Sequence, residues 1–187
     1  GSDSHTLGRY QTSKYIFKGN DWETFEPRFC YAGYRYVDVT GLDYEPTAPD
    51  CAGQMVCTDL EPAGGFACSD ERLNKLQEIL LRTLANFMVH IPNDPTREKA
   101  GWTQDFESSF FPTVYNFNAA TLYGKWQRDF LDIIHPNGYM PPVAPGRFDG
   151  PTINGPWWGG VVVYSPWWLY ELYGDREILA ESYPAMK

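Results

Sequence analysis

The chain has 187 residues, a length that corresponds to one domain or slightly more. It carries 15 Lys and Arg against 24 Asp and Glu, and this net charge of −9 argues against a general nucleic-acid-binding protein. Hydrophobic residues make up 43% and charged residues 21%, a balance that excludes an intrinsically disordered chain. Aromatic residues reach 17%, which predicts a core, an interface or a ligand-stacking surface built from rings.

Several functional classes lack their sequence signatures. No apolar run approaches the roughly 18–20 residues that span a bilayer. No nucleophile elbow, zinc-protease helix, P-loop or dinucleotide-binding motif is present. The four cysteines are not in zinc-site spacing and lie far in sequence from the histidines: Cys30, Cys51, Cys57 and Cys68. We therefore expect no metal and no other cofactor, and we favour free thiols over a Cys51–Cys57 disulfide.

The first sixty or so residues are predicted to form β-strands. Three segments are rich in aromatic and β-branched residues, at 12–18, 24–31 and 34–40, and residues 54–60 are a fourth candidate. The third segment alternates its side chains with a period of two and is followed by Gly41. This pattern is typical of the last strands of an antiparallel sheet or sandwich.

After the turn-rich residues 61–65 the hydrophobic period becomes that of α-helices. The clearest helix begins after Ser69, a candidate N-cap, and ends before Pro92. Further helices are predicted at residues 106–115 with a break at Pro112, at 118–134, at 161–173, and after a capping Asp175. Strands followed by helices indicate two domains or parts of two. The helical part fits a bundle or an (α/α) toroid, although a toroid needs about twice this many helices.

Residues 91–105, with the sequence IPNDPTREKAGWTQD, are rich in polar groups between two predicted helices. The segment fits a solvated interhelical loop with a capping Asp94, the interpretation favoured for an arbitrary sequence, and it also fits a carbohydrate site. A carbohydrate site needs carboxylates for sugar hydroxyls and proton transfer, and the face of an indole such as that of Trp102 for the C–H side of the ring.

Glu98 lies in the middle of this segment, and its protonation decides what it can do. Cationic Arg97 and Lys99 would keep it ionised if they pointed at it. A general acid must instead be held protonated by burial or by neighbouring carboxylates such as Asp94 and Asp105. The sequence leaves these two alternatives open.

A second group of candidate residues lies at 154–168, with the sequence NGPWWGGVVVYSPWW, after a long Pro- and Gly-rich loop at 139–156. Adjacent tryptophans point in different directions, so one of Trp157 and Trp158 can face a ligand while the other packs. The remaining tryptophans of predicted helices are expected in the core: Trp126, Trp167 and Trp168.

Four ordered motifs resemble the bacterial α-L-rhamnosidases of glycoside hydrolase family 78: residues 31–42 (YAGYRYVDVTGL), 58–76 (TDLEPAGGFACSDERLNKL), 91–105, and 157–175 (WWGG…PWWLYELYGD). The resemblance covers nearly the whole chain. It implies an α+β multidomain fold in which residues 1–62 are the end of an antiparallel β-sandwich. Residues 63–187 would then be the first helical hairpins of an (α/α)6 barrel, which is incomplete in this chain.

The resemblance also implies site residues. The R-E-x-x-G-W-T-x-D pattern places the family's general acid on Glu98. The implied substrate-binding residues are Asn93, Asp94, Arg97, Trp102, Asp105 and Trp158. The family commonly has Asp-Cys-Pro where residues 93–95 are Asn-Asp-Pro, so the aspartate is either replaced by Asn93 or shifted to Asp94. It often has Trp-Gly-Asp where residues 158–160 are Trp-Gly-Gly, which leaves a related deoxysugar open beside rhamnose.

The implied reaction is inverting hydrolysis of terminal α-L-rhamnosyl groups, which needs an acid and a base about 6.5–9.5 Å apart. In the family the base is a glutamate on a later hairpin, and no segment here matches it; no motif supports Asp105 or Glu107 instead. We therefore expect an N-terminal piece of a longer bacterial enzyme, with the periplasm as the favoured compartment. Its partner would be a rhamnose-containing glycoside or polysaccharide, and the oligomeric state stays open. A non-catalytic carbohydrate-binding module and an inactive fragment are the alternatives.

Overall fold

The computed structural model describes residues 11–97, 99–146 and 155–187. The chain divides into two compact units. Unit 1 comprises Gly1–Val56 and Asp94–Lys99, and unit 2 comprises Cys57–Asn93 and Ala100–Lys187. Residues 94–99 therefore belong to unit 1, although their neighbours on both sides in the sequence belong to unit 2.

Unit 1 differs from the sequence-based expectation of strands. Among its described residues, none lies in a hydrogen-bonded strand, and a 3₁₀ helix at Ala48–Asp50 is its regular element. A strand requires backbone partners on an adjacent strand, and side-chain alternation by itself does not supply them. Strands were expected at 12–18, 24–31, 34–40 and 54–60; they are absent from the described structure, and the sandwich stays a prediction.

One turn of unit 1 is organised around a carboxylate. Glu23 accepts a hydrogen bond from the hydroxyl of Tyr15 at 2.7 Å, and from the backbone N–H groups of Lys18, Gly19 and Asn20 at 2.9, 2.9 and 3.0 Å. The bond from Tyr15, followed by those from the backbone, lowers the pKa of Glu23 to about 2. The ionised carboxylate of Glu23 therefore stabilises this turn.

Unit 2 consists of helices and one short antiparallel hairpin. The helices are α1 (Glu71–Phe87), α2 (Gln104–Val114), α3 (Ala120–Ile133), α4 (Pro156–Gly159), α5 (Val161–Tyr173) and α6 (Arg176–Met186), and the strands are β1 (Met88–Val89) and β2 (Ile91–Pro92). All five predicted helices are confirmed. The short helix α4 and the hairpin were not predicted.

The helix ends refine these predictions. Asp70, rather than Ser69, caps α1, since its Oδ1 accepts a hydrogen bond from the backbone N–H of Arg72 at 2.9 Å. The predicted cap of the last helix is confirmed, because Asp175 Oδ1 accepts from the N–H of Ile178 at 3.0 Å. Helix α2 continues through Pro112 instead of breaking there. A proline removes one intrahelical bond, and packing of the helix faces compensates for that loss.

The core of unit 2 is a cluster of aromatic rings from α2, α3 and α5. Phe106 is fully buried, and its ring centroid lies 5.0 Å from that of Phe110, 4.9 Å from that of Tyr123 and 5.7 Å from that of Trp126. Trp126 also donates its indole N–H to the carbonyl of Ala144 at 2.7 Å. The expectation that Trp126 is a core residue is confirmed.

The two tryptophans of α5 differ, although both were expected in the core. Trp168 packs against the core, with its ring centroid 5.4 Å from that of Phe110. Trp167 remains 47% exposed, so the prediction for this residue was wrong. Neighbouring helical positions are separated by about 100° around the axis, so both rings cannot face the same core.

A buried hydrogen-bond group lies between α2 and α3. The hydroxyl of Tyr123 donates to Thr113 Oγ1 at 3.1 Å and lies 3.0 Å from Ser109 Oγ. Burial raises the pKa of Tyr123 more than these two bonds lower it. This side chain is therefore a neutral, structural part of the core.

All four cysteines are free thiols. In the described parts of the chain, no helix combines the length and the apolar character needed to cross a membrane.

Candidate functional site

Asp94 and Arg97, two predicted sugar-binding residues, contact each other in unit 1. Asp94 Oδ2 accepts from Arg97 Nε at 2.6 Å, and its Oδ1 accepts from the backbone N–H and the hydroxyl of Thr96 at 2.8 and 2.6 Å. Partial burial raises the pKa of Asp94, but the bonds from Thr96 and Arg97 outweigh it, and the net shift is downward. Asp94 is thus an anionic acceptor at neutral pH rather than a proton donor.

Contacts within unit 1 hold this segment in place. The N–H of Gly33 donates to the carbonyl of Pro95 at 3.0 Å, and a Cβ at Gly33 would lie 2.7 Å from Thr96 Cγ2, so a larger residue there would require Thr96 to shift. Lys99 has a positive φ of 58°, and its Nζ lies 5.4 Å from the ring centroid of Tyr31. Glu98, the predicted general acid, lies outside the described residues.

Asn93 belongs to unit 2 and is buried, with 1% of its surface exposed. Its Nδ2 donates to the carbonyls of Val89 and Ile91 at 2.9 and 2.8 Å, and its backbone N–H donates to the carbonyl of Phe87 at 3.1 Å. An ionised aspartate has no proton for these carbonyls. Asn93 therefore holds the β1–β2 hairpin, a role that the sequence analysis missed.

Trp102 lies where the chain enters α2, against the loop that follows α3. It forms an isolated antiparallel bridge with Val143, and the carbonyl of the preceding Gly101 accepts from the N–H of Ala144 at 2.8 Å. A Cβ at Gly101 would overlap the carbonyl oxygen of Ala144 and the side chain of Ile91. Glycine at this position therefore permits the close approach that fixes the backbone of Trp102, whose side chain is half-buried.

Asp105 lies in the first turn of α2 and is half-buried. The positive end of the helix dipole favours a carboxylate at this position. Its backbone carbonyl accepts a hydrogen bond from Ser109 Oγ at 2.5 Å. The backbone of Asp105 is thus held within a regular helix.

The two adjacent tryptophans of α4 differ in exposure, as expected for neighbouring positions. Trp157 is 57% exposed and Trp158 is half-buried. The backbone carbonyls of both residues accept hydrogen bonds from hydroxyl groups. The hydroxyl of Tyr164 donates to the carbonyl of Trp157 at 3.0 Å, and that of Thr103 donates to the carbonyl of Trp158 at 3.1 Å. Thr103 therefore connects Trp158 to the start of α2, where Trp102 and Asp105 lie.

Each unit thus brings together its own predicted site residues: Asp94 and Arg97 in unit 1, and Trp102, Asp105 and Trp158, through Thr103, in unit 2. Sequence analysis did not single out Thr103, since the only signal was its place in the GWTQD motif. Among the described residues, no group of His, Cys, Asp and Glu side chains is arranged to hold a metal ion.

Comparison with protein families gives two matches in chain order. Residues 61–187 match the bacterial alpha-L-rhamnosidase 6 hairpin glycosidase domain, and residues 2–57 match the bacterial alpha-L-rhamnosidase concanavalin-like domain.

Individual relatives agree with these matches. An alpha-L-rhamnosidase of Formosa agariphila is 34% identical over 96% of this chain and 20% of its own length, and one of Streptomyces avermitilis is 36% identical over 94% and 17%. The crystal structure of Streptomyces avermitilis alpha-L-rhamnosidase complexed with L-rhamnose has a TM-score of 0.81 at 33% identity, covering 91% of this chain and 17% of that one. For alpha-L-rhamnosidase from Dictyoglumus thermophilum the TM-score is 0.77 at 34% identity, over 86% and 18%.

This chain therefore spans about a fifth of the length of its curated relatives. The two family matches together cover nearly all of its residues, in agreement with the motifs found in the sequence. The chain belongs to the bacterial alpha-L-rhamnosidase family.

Proposed function

We propose that this chain contributes the general acid and part of the sugar pocket of an inverting glycoside hydrolase that removes terminal α-L-rhamnosyl groups. Glu98 protonates the glycosidic oxygen as the C1–O bond breaks, and a water molecule attacks C1 from the opposite face of the ring. The base that takes the proton of this water is a carboxylate outside these 187 residues. The observation that carries the proposal is the R-E-x-x-G-W-T-x-D sequence at residues 97–105, which leads into α2 of the matched glycosidase domain.

The surroundings of Asp94 support its proposed part in the reaction. The downward shift of its pKa keeps it ionised, so that it accepts hydrogen bonds from sugar hydroxyls. Arg97, bound to Asp94, donates to the same hydroxyls. In this proposal the two side chains orient the sugar and Glu98 supplies the proton.

Trp102, Asp105 and Trp158 are the proposed sugar-binding residues of unit 2. All three are half-buried, so each retains exposed surface for a ligand. Indole faces pack against the C–H face of a sugar, and a carboxylate accepts its hydroxyl protons. A bound L-rhamnose in the Streptomyces avermitilis relative supports rhamnose as the sugar.

We also propose the domain arrangement expected from the sequence. Residues 1–62 would belong to an antiparallel β-sandwich, and residues 63–187 would begin an (α/α)6 barrel. The two family matches, at 2–57 and 61–187, support a boundary close to residue 62.

The acid assignment is tested in the full-length enzyme with two α-L-rhamnosides, one with an alkyl leaving group and one with a dinitrophenyl leaving group. Glu98→Gln should lower kcat on the alkyl rhamnoside by about 10²–10⁴-fold, since a poor leaving group depends on protonation. On the dinitrophenyl rhamnoside the loss should be much smaller. Equal losses on both substrates would contradict the assignment.

Glu78→Gln is the matched control, because Glu78 is a surface carboxylate of α1 that pairs with Lys75 and Arg82. This variant should leave both rates unchanged. Saturable L-rhamnose binding without turnover by the wild-type enzyme would instead identify a carbohydrate-binding module.

A further inference from the structure

We propose that Thr103 is a positioning residue that sets the direction of Trp158 toward the sugar. Thr103 is fully buried, and its hydroxyl donates to the carbonyl of Trp158, which is 55 residues away in sequence, at 3.1 Å. This inference deepens the proposed function and rests on it where the sugar is concerned. The bond itself can be tested without any activity.

The hydroxyl of Thr103 does not cap its own helix, although threonine hydroxyls at helix N-termini commonly do. Thr103 occupies the N-cap position of α2, where threonine usually accepts a hydrogen bond from a backbone N–H of the first turn. Its side chain makes no such capping bond. The hydroxyl is directed to α4 instead, so this threonine connects two elements rather than stabilising its own.

Thr103 is a rigid anchor for this connection. Its N–H donates to the carbonyl of Pro142 at 2.9 Å, and its own carbonyl accepts from the N–H of Phe106 at 3.2 Å. Two predicted site residues, Trp102 and Asp105, flank Thr103 on the same stretch of backbone. A hydroxyl on a backbone held in this way fixes whatever it binds relative to these two residues.

Trp158 needs such an anchor because α4 is only four residues long. A helix of one turn has few backbone bonds to hold its last carbonyls. The carbonyl of Trp158 accepts from the N–H of Gly160, and the hydroxyls of Thr103 and Tyr164 donate to the carbonyls of Trp158 and Trp157. The carbonyl and the Cβ of Trp158 share one Cα, so fixing the carbonyl restricts the direction of the Cα–Cβ bond from which the indole projects, and the ring lies beside Gly155.

The first test follows the indole directly, in this chain labelled with 5-fluorotryptophan, by ¹⁹F NMR. Trp158→Phe assigns the Trp158 resonance. Thr103→Val, which keeps the shape and removes the hydroxyl, should displace or split this resonance, whereas Thr103→Ser should leave it in place. An unchanged resonance in Thr103→Val, or a displaced one in Thr103→Ser, would overturn the proposal. If the valine variant does not fold, Thr103→Cys replaces it, and its weakly donating thiol should displace the resonance partly.

Thr113→Val is the matched control. Thr113 is another fully buried threonine of α2, and its hydroxyl accepts from Tyr123 rather than contacting α4. Both valine variants should unfold at lower temperature, but Thr113→Val should leave the Trp158 resonance in place. A resonance displaced equally in both variants would mean that general loosening of α2, and not the hydroxyl of Thr103, moves the indole.

The second test measures sugar binding in the full-length enzyme. Thr103→Val should raise KM for an aryl α-L-rhamnoside about three- to tenfold with little change in kcat, since an indole face binds the ground state and the transition state alike. Thr113→Val should leave KM unchanged. Absence of turnover in the wild-type enzyme would refute the proposed function and leave the NMR result standing. An unchanged KM beside a displaced Trp158 resonance would refute the link to the sugar.

Discussion

The two units of this protein differ in whether they bury a core of aromatic rings, although unit 2 also leaves Trp157 and Trp167 exposed. In unit 1, Trp22 is 87% exposed, and Phe29 is exposed as well. In unit 2, Trp126 and Phe106 have no exposed surface and belong to one continuous cluster. The sequence is aromatic in both units, so composition does not account for the difference.

The difference comes from how each kind of backbone satisfies its hydrogen bonds. An α-helix pairs its N–H and C=O groups within one segment, so unit 2 obtains elements that need only pack their apolar faces together. Segments with strand-like composition need neighbours to pair with, and the described residues of unit 1 contain no such pairs. Unit 1 is held instead by turns such as that around Glu23 and by single contacts between distant segments, such as the bond from the N–H of Gly33 to the carbonyl of Pro95.

The largest effect is expected from a pair of tryptophan variants that compares the two units. Trp126→Ala removes a fully buried ring and its bond to the carbonyl of Ala144. It should lower the free energy of unfolding by about 3–5 kcal/mol. Trp22→Ala should change it by less than about 0.5 kcal/mol, since the ring is exposed. Urea denaturation followed by circular dichroism measures both, and a large loss in Trp22→Ala would show that unit 1 buries this ring.

A smaller effect is expected at Asn93 and Asp94, adjacent residues that belong to different units. Asn93→Asp places a carboxylate against the carbonyls of Val89 and Ile91, and should cost about 3 kcal/mol because a new buried charge faces two oxygens that lose their donor. Asp94→Asn keeps an oxygen for Thr96 and loses the ion pair with Arg97, which should cost less than about 1 kcal/mol. The same denaturation experiment compares the two variants. Equal losses in the free energy of unfolding would contradict the assignment of a buried, structural role to Asn93.

The smallest effect is a local pH dependence in unit 1. The pKa of Glu23 is lowered to about 2 in the folded turn, so the ionised form stabilises the turn. This contribution is complete above the ordinary glutamate pKa and is lost as the pH falls from there toward 2. The backbone amide resonances of Lys18, Gly19 and Asn20 should titrate together with a midpoint near pH 2. In Glu23→Gln this shared titration should be absent, and its persistence would assign it to another group.

The helices of unit 2 could be predicted because their information is local. The spacing of leucines and aromatics along α1 and α3 marks a helical face, and Asp175 is a cap that can be read from its neighbours. The strands of unit 1 could not be judged in this way, since alternation of side chains says nothing about where a pairing strand lies. The same limit explains Trp167 and Trp168, where the position of the neighbouring helices decides which ring is buried.

By itself, the sequence determined the family, the helices of unit 2 and the candidate site residues, because ordered motifs and helical periodicity are properties of short segments. Tertiary structure decided that the side-chain amide of Asn93 donates to backbone carbonyls, and that the hydroxyl of Thr103 donates to the carbonyl of Trp158. It also decided that Gly101 must remain small beside Ala144. These features depend on atoms brought together from distant segments or on the folding of a loop back on itself, and no spacing rule along the chain specifies which atoms will meet.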